Sequence, residues 1–172
     1  MAYPIKNNLN YFLLGMAVLF LSNSVKTHAQ NYQVTNLEEL QGTVANSNQR
    51  YSSNEIEELE KLVYGSNATI IISNTGAQIL GSGVPTVAVF DTNNLQALQK
   101  SNPDFNSVRL LKLKVDSSAD LKRSIDLSSL NEFSNLKYIL IQCAFNCSSS
   151  QLQNIFSNVG NKRIVYMIAT PK

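Results

Sequence analysis

The chain has 172 residues, with 14 Lys and Arg against 12 Asp and Glu, one His, two Cys and no Trp. Lys6 and Lys26 fall in an N-terminal leader, so the rest balances 12 basic with 12 acidic residues and offers no electrostatic reason to expect nucleic acid. The only histidine, His28, also lies in that leader, which removes from the remainder the Ser-His-Asp and Cys-His mechanisms and most catalytic zinc sites.

The leader starts with Lys6 and the terminal amine. It continues with an apolar run from Phe12 to Leu21 and ends Thr27-His28-Ala29. A positive start, an apolar core and small residues at the cleavage positions predict a signal peptide over 1–29, cut between Ala29 and Gln30. The apolar run is shorter than the roughly 17–25 residues of a membrane span. The expectation is a secreted or periplasmic single domain over 30–172, with no stable membrane anchor after cleavage. Residues 30–50 are polar and predict a loosely packed start.

Along the chain, Thr35-x-x-Glu38 reads as a capping box, with Leu37, Leu40 and Val44 on one face of the helix it opens. Ser52-x-x-Glu55 opens a second helix with a stripe of Ile56, Leu59, Leu62 and Val63, stopped at Gly65. The runs Thr69–Ser73, Thr86–Phe90, Val108–Val115, Lys137–Gln142 and Arg163–Ala169 read as strands. Helical turns are expected over 94–100, 119–123 and 128–133, and Ser148-x-x-Gln151 opens a last helix carrying Leu152, Ile155, Phe156 and Val159. Strands alternating with helices predict an α/β fold: a mostly parallel sheet of about five strands with short helices between them.

The strands share a pattern. Val84-x-x-Val87-x-Val89 returns as Val108-x-x-Leu111-x-Leu113 and as Leu136-x-x-Ile139-x-Ile141. Over residues 84–144 this resembles the leucine-rich repeat, most closely at Ile125–Cys143. The chain departs from that family at the ladder position, where Thr92, Asp116 and Ala144 stand. Lys162 also replaces the first leucine of the last unit. The resemblance implies a short solenoid with an open strand face carrying Phe90, Leu110, Lys112, Lys114, Tyr138, Leu140 and Gln142. The alternative is a compact sandwich in which those residues pack under helices.

An open face of that kind marks an interaction module whose partner is another protein, with Tyr138 as an anchor. A different reading is a carboxylate enzyme acting on a glycan, with Asp91 and Asp116 at the ends of adjacent strands. A third is a structural subunit of an envelope assembly. No motif implies a cofactor or a metal. Gly81-Ser82-Gly83 lacks the lysine of a phosphate loop and reads as a turn. Cys143 and Cys147 are candidates for a local disulfide, with buried free thiols the other option. Asn67-Ala-Thr and Asn146-Cys-Ser match glycosylation acceptors. The acidic cluster 38–60 and the basic residues Lys112, Lys114, Lys122, Arg123, Lys162 and Arg163 give either a bipolar surface or ordinary solvated faces.

Overall fold

The computed structural model describes residues 32–42 and 51–169. The expected signal peptide, its cleavage site at Ala29–Gln30 and Val44 lie outside those residues.

The strands are β1 (Val34–Asn36), β2 (Thr69–Ser73), β3 (Gly76–Leu80), β4 (Val87–Asp91), β5 (Leu110–Val115), β6 (Ile125–Asp126), β7 (Tyr138–Cys143), β8 (Phe156–Ser157) and β9 (Arg163–Ile168). Among the described residues three α-helices accompany them: α1 (Leu37–Gly42), α2 (Ser53–Tyr64) and α3 (Ser149–Leu152). Seven strands form one sheet in the order β1-β9-β7-β5-β4-β2-β3, and β6 pairs with β8 apart from it. All neighbours in the large sheet run parallel except the hairpin β2–β3. From β2 through β4, β5 and β7 to β9, each new strand therefore lies beside the last and the sheet grows in one direction.

Both faces of the sheet are covered. Ile70, Ile72, Ala88, Phe90, Leu111, Leu113, Ile139, Ile141 and Ile164 pack into one core with the crossovers between strands, including Leu98, Phe105, Phe133, Leu152 and Ile155. Those crossovers are mostly 3-10 turns, such as Thr92–Gln99 and Pro103–Ser107. The other face buries Val87, Leu110, Tyr138, Leu140 and Val165 beneath Leu37 and Leu40 of α1 and Ile56, Leu59 and Leu62 of α2. Burial on both sides explains why TIIIS and KYILI are apolar throughout.

The α2 helix forms where its sequence says. Ser52 accepts from the Glu55 N–H and the Glu55 carboxylate returns to the Ser52 N–H, a complete capping box. Gly65 ends the helix, though not through a left-handed backbone. Its φ is −74°, and a Cβ there would run into the Lys61 carbonyl oxygen. The Lys61 carbonyl, which also accepts from the Gly65 N–H, and the Leu62 carbonyl accept from the side-chain amide of Asn67.

Several expectations need correction. The described part of the early polar stretch is packed: it forms β1 and α1 and buries Val34, Leu37 and Leu40. Thr35 lies within β1, and Asn36 instead accepts from the Glu38 N–H. The last helix is a single turn. Its expected continuation bends away, so that Phe156 enters β8 while Ile155 and Val159 stay in the core from extended chain.

The repeat pattern also shifts by one residue. Leu111 pairs with Ile139 and Leu113 with Ile141, as the aligned pattern requires. In β4, however, Ala88 and Phe90 are the partners of Leu111 and Leu113, not Val87 and Val89. Val84 is 71% exposed, whereas its counterparts Val108 and Leu136 are buried. Two units therefore share a register and the first does not.

Candidate interaction surface

Two glutamates of the acidic cluster find basic partners across the sheet, of which only Arg163 belongs to the late basic set; Lys112 and Arg123 instead donate to backbone carbonyls. On α2, Glu58 Oε1 pairs with Arg109 and lies 3.5 Å from Lys137 Nζ. Its Oε2 accepts from the Tyr138 hydroxyl at 3.0 Å. One turn earlier Glu55 pairs with Arg163 at 3.4 Å, and Arg163 lies over the Tyr51 ring. These groups clamp α2 onto the amino-terminal ends of β5, β7 and β9.

The Glu55 carboxyl is held below its usual value, chiefly by the Ser52 N–H, with the Ser52 hydroxyl and Arg163 adding to the effect against partial burial. A carboxylate with a depressed folded value adds stability above its unfolded value of about 4.3, and that stability is lost as pH falls through the folded value. Glu55→Gln should therefore lower the melting temperature at neutral pH, where the carboxylate's contribution is fully present, flatten the acid limb, and converge on the parent protein as pH falls through the folded value. Parallel acid limbs in the two proteins would count against the clamp.

The structure disperses the seven residues of the expected open face. Tyr138 is 1% exposed and Leu140 is 0% exposed, and Leu110 lies with them beneath the helices. Phe90 is on the opposite face, buried against the 3-10 crossovers. The reason is the one-residue slip in β4, because neighbouring strand residues point to opposite faces. Lys112 is half-buried and donates to the carbonyl of Val63 at 2.9 Å, near the end of α2, and burial lowers its pKa. Gln142 donates to Met167 Sδ at 3.7 Å. Lys114 is exposed, beyond the cover of α2. The expected anchor and its apolar neighbours thus form core.

Asp91 accepts from the Asn93 N–H at 2.8 Å and from the Asn94 amide at 2.7 Å, so it caps its own turn. Cavities of about 140, 420 and 570 Å³ open near Lys162, Glu58 and Arg123, and neither Asp91 nor Asp116 lines them. Among the described residues no group of His, Cys, Asp and Glu is arranged to hold a metal ion, and no helix is long and apolar enough to cross a membrane. The Asn67 amide of the first glycosylation sequon is committed to the end of α2.

Cys143 and Cys147 lie at disulfide distance, joining the end of β7 to the loop before α3. A loop this short contributes about 2 kcal/mol on the chain-entropy account. Reduction by thiol should lower the free energy of unfolding by about that amount. A denaturant midpoint unmoved by reductant would show that the bond adds no stability.

Besides the short strands β1, β6 and β8, sequence reasoning missed β3, which matters here. Its five residues, Gly76 to Leu80, follow a tight turn at Asn74-Thr75 and pair with β2 in the register Ile70↔Ile79 and Thr69↔Leu80. Among the described residues β3 closes one edge of the sheet. Alternate residues of such a strand aim their N–H and C=O groups away from the sheet. Ile79 is 41% exposed and Leu80 is 49% exposed, with Val84 close behind in the chain. No Asp, Glu, Lys or Arg occurs anywhere from 62 to 90. Sheet edges are ordinarily guarded by charge, proline or a bulge, and β3 carries none of the three. Two signals in the sequence pointed here: the charge-free run, and the Ser-Asn-Thr-Gly turn between two short segments able to pair.

Comparison with protein-family models, with curated proteins and with solved structures returns no match to this chain.

Proposed function

We propose that this chain is an exported interaction module that binds protein by adding an extended strand along β3. The observation that carries the reading is the unguarded edge: five residues without charge or proline, exposing Ile79 and Leu80. Strand addition draws affinity from main-chain hydrogen bonds and specificity from alternate side chains. The doubly covered sheet gives the edge a rigid backing, which lowers the ordering cost of binding. The leader supports export by its pattern, and the cysteine pair at disulfide distance fits an oxidising compartment.

The test is a photo-crosslinking residue at position 79, compared with one at Lys61 on the exposed side of α2. A crosslink to a protein chain from position 79 alone, abolished by Leu80→Lys in a folded variant, is the expected result. Crosslinks confined to position 61, or none from 79, would sink strand addition at this edge.

A further inference from the structure

We infer that the strand which occupies β3 is the β3 of a second copy of this chain, paired antiparallel about a two-fold axis through Gln78. The inference rests on the strand-addition reading above and names its partner. An isologous dimer brings each residue against its symmetry mate, so the edge must be complementary to itself. Three features of β3 meet that condition.

The first is charge. All of the chain's Asp, Glu, Lys and Arg lie outside residues 62–90. A charged residue at the centre of a two-fold strand pair would face its own like charge, which is destabilising. This edge presents none, and it offers nothing for a partner recognised by charge.

The second is size. Pairing about Gln78 sets Ile79 opposite Ala77 and Leu80 opposite Gly76. Each large side chain then meets a small one across the axis. Ile79 shares the sheet face of Ile70, and Leu80 shares the face of Thr69. Apolar area is therefore covered on both faces of the joined sheet.

The third is the centre itself. Gln78 is exposed and meets its mate there. A carboxamide carries both donors and an acceptor, so two of them satisfy each other. The joined sheet would run continuously through both copies, with β3 no longer an edge.

A five-residue ladder is small, which places the dimer in the weak, concentration-dependent class. Sedimentation of the purified chain from about 5 to about 500 µM spans the range over which such a contact fills. The expected result is a rise from one to two copies with concentration. Gln78→Glu and Gln78→Lys should each weaken self-association at least about tenfold. Mixing the two variants should restore a dimer, because opposite charges then meet on the axis. Melting curves matching the parent protein verify that both variants fold. In the parent protein, amide exchange within 76–80 should slow as concentration rises, which tests the same contact without substitution.

A parent chain that stays single throughout, with unchanged exchange in 76–80, would overturn self-pairing. So would a dimer indifferent to both charge substitutions. Strand addition to a different protein is judged separately by the crosslink at position 79. A heterologous product there with no self-association rejects the second copy and keeps the edge reading. Failure of both rejects both.

Discussion

Phe105→Ala is expected to lower the free energy of unfolding by about 3–5 kcal/mol, the cost of truncating a buried aromatic. Phe105 sits in the 3-10 crossover between β4 and β5, is fully buried, and stacks on Phe133 with ring centroids 4.5 Å apart. That layer has only the single turn of α3 for an α-helix. It is held by side chains from short turns, each contributing one or two anchors. A 3-10 turn has poorer internal hydrogen bonding than an α-helix, so its position depends on what it buries. Loss of Phe105 removes its own transfer energy, the stacking contact and the support of Phe133 together. Urea unfolding measures the effect, with Tyr64→Ala on the exposed end of α2 as a control expected within about 0.5 kcal/mol of the parent. A loss under about 1 kcal/mol for Phe105→Ala would mean that the crossover layer is not a close-packed core.

Glu58→Ala is expected to cost about 2–3 kcal/mol. The substitution leaves Arg109 and Lys137 without their common anion and the Tyr138 hydroxyl without its carboxylate. Breaking a fully buried pair costs more, but here both cations keep contact with water and recover part of their hydration. Glu58→Gln retains an acceptor for the Tyr138 hydroxyl and should cost less than the alanine change. A double-mutant cycle with Arg109→Met isolates the ionic part. Additive losses in that cycle would show that the clamp owes nothing to the charge pair.

Local signals were legible wherever one rule acted within a few residues. The capping box at Ser52 and Glu55, the stripe Ile56-Leu59-Leu62 and the five apolar strand runs each fix their own element, because helix capping and side-chain period are short-range effects. The mostly parallel sheet followed from alternating helices and strands. The turn at Asn74-Thr75 was equally local, yet β3 escaped because GAQIL lacks the β-branched density that marks a strand. Its pairing partner, not its composition, makes it one.

The candidate site was read differently from sequence because side-chain direction has period two. A slip of one residue in β4 moved Phe90 to the far face, and the cover of α2 took Leu110, Tyr138 and Leu140 out of solvent. A strand run does not state which of its faces will be covered, since the covering helix lies far off in the chain, 49 residues between Lys112 and Val63 and 80 between Tyr138 and Glu58. Charge behaved likewise: Glu55 and Glu58 of α2 lie far in the chain from Arg163, Arg109 and Lys137, and only the packing of α2 across the sheet made them partners. By itself, the sequence determined α2, the five main strand runs, and, from residue 30 onward, the balanced charge and the lack of histidine. Tertiary structure decided which residues face outward, because burial is set by long-range register and by the element that docks on each face.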